Sequence, residues 1–188
     1  MSILKIDYLI SMETLELERN KKKNDQTISR VYRKLGYSSM ETALITQSLN
    51  KLLADYQVHY QKLRNFHWNV KGDDFFEFHD KFEELYIEAQ ANIDEVAERI
   101  RVYGQTPLST LKEYLDNADI REARADLGTR EMAREILHDF QSLVNQMNEV
   151  VTAAQETDDN ATLDLINSFV RKIEKHHWML SAYLNEKA

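Results

Sequence analysis

Residues 65–99 read NFHWNVKGDDFFEFHDKFEELYIEAQANIDEVAER and contain five side chains that can bind a metal ion: His67, His79, Glu83, Asp94 and Glu98. His79 and Glu83 stand four residues apart, as do Asp94 and Glu98, so on a helix each pair lies on one face, one turn apart. Imidazole and carboxylate at this spacing commonly hold iron or another first-row metal in helical proteins. Because charged residues on an exposed helix form such pairs by chance, the direction in which the pairs point decides the interpretation.

The rest of the sequence favours long helices. The 188 residues include only four Gly and one Pro, and 43% of the chain is hydrophobic. Apolar residues recur at three- and four-residue steps in four segments, which we predict as helices over about 38–70, 74–103, 129–155 and 161–185. Asp73 or Asp74 is expected to cap the second helix and Thr129 the third. A short amphipathic piece at 108–115 lies in the long connection between these two helices. We therefore expect an all-α four-helix bundle with one crossover connection.

The chain divides into two regions by composition. Residues 1–37 show no clean helical period, and we predict a partly flexible N-terminal extension there, followed by one bundle domain over 38–188. The extension carries the basic cluster Lys21–Lys23. This cluster is read either as a DNA-contacting arm or as part of a solvated tail, and the tail is favoured because acidic residues dilute the charge.

Composition excludes several classes of function. The absence of Cys rules out disulfides, thiolate metal sites and a cysteine nucleophile. No apolar run reaches membrane-spanning length and no signal peptide is recognisable, so we expect a cytoplasmic protein that does not bind membranes. The formal net charge of −8 argues against the body being a general nucleic-acid binder, because such binding depends on Lys and Arg neutralising phosphates. An acidic chain suits cations, although acidity also simply aids solubility.

The candidate ligands of the second helix do not point into the core of their own bundle. At 100° per residue, His79 lies roughly 70°, Glu83 about 110°, Asp94 about 130° and Glu98 about 170° from the centre of the apolar stripe, all on the same side. Glu83 and Asp94 are also separated by roughly 16 Å along the axis, whereas metal–ligand bonds are about 2 Å long. One metal centre therefore cannot take both pairs from a single chain.

Two copies of the helix packed antiparallel about a two-fold axis would remove this difficulty. Asp94 and Glu98 of one subunit would then face His79 and Glu83 of the other, with His67 joining its own chain's half, and symmetry would create two sites. The competing interpretation is that these acids only pair with Lys81, Arg99 or Arg101 on a wet surface.

Two further pairs imitate the Glu-x-x-His pattern of di-iron bundles: Glu135 with His138, and Glu174 with His177. Glu135 and His138 lie nearly opposite the apolar stripe of their helix, and Glu174 is displaced by about 100° from the stripe of its own. The two pairs therefore cannot meet inside the bundle. His59, at the edge of the first stripe, is predicted to be a hydrogen-bonded core histidine.

Three acids, Asp158, Asp159 and Asp164, cluster at the start of the fourth helix. Acids at this position complement the helix dipole, which is the favoured interpretation. In a symmetric assembly the same acids could also ring a pore through which cations enter.

The segments FHWNVKG, FFEFHDKFEELY and DEVAERI, together with KHHWMLSAYL near the C-terminus, strongly resemble the Dps family of ferritin-like mini-ferritins, named as DNA-binding proteins from starved cells. The likeness covers roughly residues 40–186. It implies a ferritin-like bundle with a short helix in the crossover. It also implies a ferroxidase centre between two-fold-related subunits, with His67, His79 and Glu83 facing Asp94 and Glu98 of the partner. Glu83 is a departure, since many members carry Asp there.

The resemblance also implies what the assembly does. Members of this family form hollow dodecamers built from two-fold dimers, oxidise Fe²⁺ preferably with hydrogen peroxide at a two-iron site, and store a ferric mineral, which protects against oxidative stress. By the same analogy, Asp158, Asp159 and Asp164 lie where the family places acidic pores for iron. DNA binding is the alternative function. It carries over less directly, because DNA-binding members use basic mobile tails and the Lys21–Lys23 cluster is only a modest version.

Overall fold

A computed structural model describes the backbone of residues 39–185 and the side chains of residues 42–185. Within this range all of the regular secondary structure is helical. The five helices are α1 (Ser39–Asn69), α2 (Phe75–Val102), α3 (Leu111–Asn117), α4 (Thr129–Glu156) and α5 (Asn160–Leu184). Helix α1 packs against α2 and α4, α4 packs against α5, and α3 lies against α1 in the crossover between α2 and α4. The predicted four-helix bundle with a short crossover helix is confirmed. The proposed N-terminal extension, residues 1–37, lies outside the described residues.

The helix boundaries follow from turn and capping residues. Gly72 (φ 106°) and Gly104 (φ 75°) have positive φ, which glycine accepts at little cost. Gly72 begins the turn that leads into α2, and Gly104 lies in the turn after the end of α2. Helix α3 begins at Leu111 rather than Leu108, because Thr110 and Glu113 form a reciprocal capping box.

The structure corrects the role of two predicted caps. Asp74 is the N-cap residue of α2, but its side chain makes no capping bond and instead accepts a hydrogen bond of 2.7 Å from the Tyr183 hydroxyl on α5. The prediction that Thr129 caps the third long helix, which is α4, is wrong. Thr129 is the first residue of this helix, and Gly128 is the cap. The Glu131 carboxylate accepts from the Gly128 N–H at 2.8 Å, so a residue three positions later supplies the capping bond.

The core is formed by the apolar stripes of the four long helices. Its largest fully buried side chains are Tyr56, Phe66, Phe82, Tyr103 and Phe169. Burying a large apolar side chain contributes about 1.5–3 kcal/mol, so these stripes are the main stabilising feature of the bundle. Within the described residues, no helix is long and apolar enough to cross a lipid bilayer.

Buried polar groups occupy part of the bundle interior. His59 Nδ1 lies 2.9 Å from Asp139 Oδ2, and Lys62 Nζ lies 2.6 Å from Asp139 Oδ1. Lys62 is only 4% exposed, so its ammonium is removed from water and depends on Asp139 for compensation. The prediction that His59 is a hydrogen-bonded core histidine is confirmed.

A second buried polar group joins α2 to α5. The Lys81 ammonium donates to His176 Nδ1 at 3.2 Å, and the opposite ring nitrogen of His176 lies 3.4 Å from Glu88 Oε2. An ammonium has no lone pair to offer, so His176 Nδ1 must be the acceptor and Nε2 carries the proton that faces Glu88. Burial alone would raise the pKa of Glu88. The hydrogen bond with His176 and the positive charges nearby outweigh burial and lower this pKa.

Candidate metal centre

The two histidines of the candidate site are held together at the junction of α1 and α2. His67 lies in the last turn of α1 and His79 near the start of α2, and the Gly72 turn folds the two segments against each other. The imidazole rings are stacked, with centroids 3.8 Å apart and an angle of 24° between their planes. His67 is buried and His79 is half-buried.

Reciprocal hydrogen bonds determine which nitrogen of each ring is free. His67 Nδ1 lies 2.8 Å from the carbonyl oxygen of His79, and His79 Nδ1 lies 2.9 Å from the carbonyl oxygen of His67. A carbonyl oxygen can only accept, so each Nδ1 carries the proton and donates it. In the neutral imidazole the lone pair then resides on Nε2, which is the form that binds a metal.

Aromatic side chains surround this histidine pair. Phe75 stacks on His79 with ring centroids 5.1 Å apart, and Tyr86 lies edge-on to His67 at 5.4 Å. These contacts restrict rotation of both imidazoles, so the two Nε2 atoms are held in position before any metal binds.

Glu83 follows His79 by one helical turn and is half-buried. Its Oε1 accepts a hydrogen bond of 2.9 Å from the Tyr86 hydroxyl, three residues further along α2. Because ionising the phenol would break this hydrogen bond beside a carboxylate, the pKa of Tyr86 is raised. The structure thus brings His67 and His79 together, while Glu83 lies one turn further along α2 and contacts Tyr86 instead. Imidazole and carboxylate donors of this kind suit a first-row transition metal.

Asp94 and Glu98 are exposed and lie further along α2. The basic residues suggested as their surface partners bind other groups: Lys81 contacts Glu84 at 2.9 Å, Arg99 contacts Asp159 at 2.6 Å, and Arg101 donates to the carbonyl oxygen of Gln105. Within the part of the chain that the structure describes, no three His, Asp or Glu side chains come close enough to hold a metal ion. A complete site therefore needs ligands from outside this part of a single chain.

The bundle interior, where di-iron bundles of the Glu-x-x-His type bind metal, is occupied differently here. The buried carboxylate Asp139 is paired with the Lys62 ammonium at 2.6 Å, so a protein cation already compensates its charge. Glu135 lies 3.6 Å from the same ammonium, while His138 and Glu174 are exposed and His177 is half-buried. The four residues of the two Glu-x-x-His patterns thus do not converge.

Sequence reasoning did not find the buried residues Lys62, Asp139 and His176, or the half-buried Glu88 that contacts His176. One signal was available, since Lys62, Asp139 and His176 each lie four residues before a buried core residue, namely Phe66, Leu143 and Leu180. A charged residue at such a position predicts a buried pair, but its partner on another helix cannot be read from spacing.

The three acids near the start of α5 have different environments. Asp158 and Asp164 are exposed, whereas Asp159 is fully buried. The Asp159 carboxylate accepts hydrogen bonds from Arg99, from the Thr162 hydroxyl and backbone N–H, and from the Tyr103 hydroxyl. Burial alone would raise the pKa of Asp159, but these hydrogen bonds outweigh burial and lower it. The Asp159 carboxylate thus joins α2 to the N-terminus of α5. Because it is buried and hydrogen-bonded, it is not available to bind cations directly in a pore.

Comparison with known proteins places this arrangement in a family. A model of the ferritin-like domain matches residues 46–188. The chain is 43% identical over 142 residues to the DNA protection during starvation protein 2 of Bacillus anthracis, which covers 76% of this chain and 97% of that protein. It is 43% identical over 141 residues to the DNA protection during starvation protein of Brevibacillus brevis, covering 75% of this chain and 95% of the relative.

Solved structures agree with this assignment. A crystal structure of a Dps protein from Bacillus brevis superimposes with a TM-score of 0.76 at 41% identity, covering 79% of this chain and 99% of the other. A Dps protein from Vibrio cholerae, described as a member of a broad superfamily of ferritin-like diiron-carboxylate proteins, superimposes with a TM-score of 0.78 at 37% identity, covering 80% and 94%. The fold is that of a ferritin-like helical bundle. Within that class, the chain belongs to the Dps family.

Proposed function

We propose that this protein is a ferroxidase that oxidises Fe²⁺, preferably with hydrogen peroxide, at two-iron sites shared between subunits. The observation that carries the proposal is the histidine pair, in which each Nδ1–H is engaged by the other residue's carbonyl and each Nε2 is left for a metal. Glu83 adds a carboxylate one turn away, and Asp94 and Glu98 of a partner subunit would complete the ligand set. In this proposal, the oxidised iron is stored as a ferric mineral inside a hollow dodecamer built from two-fold dimers.

Exposed apolar residues support a second subunit on this flank of the bundle. Ile87, on the same face of α2 as Glu83 and Asp94, is 55% exposed, and Trp68, next to His67, is 57% exposed. On the crossover helix, Leu111 is 78% exposed and borders a cavity of about 400 Å³ between α1 and α3. An apolar surface of this kind beside half of a metal site is what a two-fold interface requires.

The proposed chemistry is balanced when two irons react together. Each Fe²⁺ loses one electron, and hydrogen peroxide takes both electrons and two protons to become two molecules of water. Delivering two electrons at once avoids release of hydroxyl radical. Carboxylate oxygens stabilise the Fe³⁺ product, while the imidazoles help to hold Fe²⁺. Asp158 and Asp164, which are exposed, are the acids proposed to guide iron inward. We place this activity in the cytoplasm.

Anaerobic titration with Fe²⁺, followed by hydrogen peroxide, tests the proposal through the absorbance of the ferric product. We expect rapid oxidation by the wild-type protein and a loss of at least tenfold in rate for the double variant His67→Ala with Asp94→Ala. If the double variant oxidised iron at the wild-type rate, the site assignment would be wrong. Metal-soaked crystals should contain metal between two chains, and metal inside one bundle would also contradict the proposal.

DNA binding is the second candidate, because the relatives' names refer to DNA protection. The net charge of −8 opposes it, whereas the Lys21–Lys23 cluster favours it. A gel-shift assay across a salt series separates these effects, since binding through lysines weakens steeply with salt. Retardation that disappears when residues 1–36 are deleted would place DNA binding in the N-terminal segment, and no retardation at low salt would exclude it.

A further inference from the structure

Tyr86 contacts both kinds of ligand in the half-site. Its hydroxyl donates to Glu83 Oε1 at 2.9 Å, and its ring lies edge-on against His67 with an angle of 79° between the planes. Tyr60 on α1 contacts Tyr86 edge-on as well, with ring centroids 6.1 Å apart. The Tyr86 side chain is therefore held between α1 and α2, while its hydroxyl donates a hydrogen bond to the Glu83 carboxylate.

Fixing Glu83 has a direct consequence for metal binding. Immobilising a flexible glutamate side chain costs rotamer freedom, and part of this cost is already met when one oxygen is held before a metal binds. With Oε1 occupied by the Tyr86 hydroxyl, Oε2 is the oxygen left to bind metal. Hydrogen-bonded partners of this kind typically change metal affinity by about 10- to 100-fold.

We infer that Tyr86 is a positioning residue that orients Glu83 and fits this site to glutamate rather than aspartate. The inference rests on the proposed function, since it assigns Tyr86 a role through a proposed ligand. Aspartate is shorter by one methylene, about 1.5 Å, which is more than a hydrogen bond of ordinary length can absorb. With aspartate at position 83, the carboxylate could satisfy either the metal or Tyr86, whereas glutamate reaches both.

Co²⁺ is the probe for this inference, because its visible absorption reports coordination geometry without turnover. The full-length assembled protein is compared with Tyr86→Phe, Glu83→Gln and the matched control Tyr183→Phe. The control removes a similar phenol–carboxylate bond, from Tyr183 to Asp74, that does not involve a proposed ligand. We expect Tyr86→Phe to weaken Co²⁺ binding by about tenfold and to alter the visible spectrum, and Tyr183→Phe to change neither.

The outcomes separate the inference from the function on which it rests. If Glu83→Gln weakened Co²⁺ binding while Tyr86→Phe matched the wild type in affinity and spectrum, the role of Tyr86 would be overturned and the metal site would stand. If the wild type bound no Co²⁺, or if Glu83→Gln bound it normally, the assigned site and the inference would both fail.

Asn92, at the centre of the bundle, carries a second and independent inference. Its Nδ2 donates to the Tyr56 hydroxyl at 3.0 Å, while its Oδ1 is buried without a partner among the described residues. Exchanging the amide oxygen and nitrogen would not help, because the Tyr56 hydroxyl would then bond the oxygen and leave the nitrogen unpaired. A buried polar atom without a hydrogen-bond partner destabilises the fold.

A small cavity of about 10 Å³ is lined by Asn92 together with Tyr56, His59, Glu88 and His176, and by the apolar residues Leu85, Ala89, Phe140, Leu143 and Ile173. This volume is about what one water molecule needs, and a buried water requires two to four polar partners. The geometry points to one ordered water molecule, donating to Asn92 Oδ1 and joining α1, α2 and α5.

A crystal structure at a resolution that shows ordered waters tests this second inference. We expect a density peak within about 3.2 Å of the Asn92 amide and within the same distance of at least one other polar side chain lining the cavity. An empty cavity, or an Asn92 side chain turned to bond only protein groups, would overturn it. In Asn92→Leu crystals the apolar side chain should displace this peak while other buried waters remain.

Discussion

His67 and His79 hold each other through two hydrogen bonds, each from one ring's Nδ1–H to the other residue's carbonyl oxygen, with the rings stacked 3.8 Å apart. Each hydrogen bond uses Nδ1 and leaves Nε2 of the same ring without a proton. The acceptors are backbone carbonyl oxygens, whose positions are fixed by the chain. They also tie the end of α1 to the start of α2 across the Gly72 turn. The same pair of bonds therefore ties the two helices across the turn and orients the two proposed metal ligands.

The first prediction concerns this pair. His79→Ala should lower Co²⁺ affinity by at least about tenfold, because one ligand is lost and His67 loses its stacking partner. The free energy of unfolding should fall by only about 1 kcal/mol, the ordinary value for one hydrogen bond. Isothermal titration and chemical denaturation measure the two quantities. His138→Ala, on the exposed face of α4, is the control and should change neither.

A second prediction tests whether the site is shared between subunits. His67→Ala chains and Asp94→Ala chains are each expected to be inactive, but a dimer of one with the other regains one intact site. Random reassembly of equal amounts should restore about a quarter of wild-type ferroxidase activity, since half of the dimers are mixed and each has one site of two. Activity that stays at the level of the single variants after confirmed subunit exchange would contradict a shared site.

The buried Lys62–Asp139 pair leads to a third prediction. Lys62→Met removes the ammonium paired with Asp139 and leaves this buried carboxylate with His59 as its remaining partner. We expect the free energy of unfolding to fall by about 3–5 kcal/mol. Replacing both residues with apolar ones should recover much of this loss. Lys112→Met is the matched control, because the Lys112–Asp116 pair is exposed on both sides and should contribute about 1 kcal/mol or less. An equal loss in both single variants would show that burial is not the cause.

A fourth prediction follows from the lowered pKa of Asp159. A carboxyl whose pKa is lower in the folded state stabilises the protein above its unfolded pKa, about 3.9, and the stabilisation disappears as pH falls through the folded value. The wild type should therefore exceed Asp159→Asn in unfolding free energy by a constant amount near neutral pH, and the difference should shrink below about pH 4. Denaturation at fixed protein concentration measures this, because assembly also contributes to apparent stability. A difference that does not vary with pH would contradict the assignment.

Several features of this protein were determined by the sequence alone. The three- and four-residue apolar steps located the four long helices to within a few residues, because helix burial repeats with the helical period. The four-residue spacing of His79 with Glu83, and of Asp94 with Glu98, placed the candidate ligands on the flank of α2. Their axial separation follows from helix geometry. The inference that one chain supplies only half of a metal site was therefore drawn without tertiary information, and it stays a prediction.

Tertiary structure decided what the side chains touch. The bonds between His67 and His79, the Lys62–Asp139 pair and the burial of Asp159 each join residues that are distant in sequence or separated by a turn. Spacing along one helix reports only the direction in which a side chain leaves that helix. The group that a side chain contacts depends on how the helices pack. Packing also decides which acidic side chains have no protein partner and are free to bind a metal.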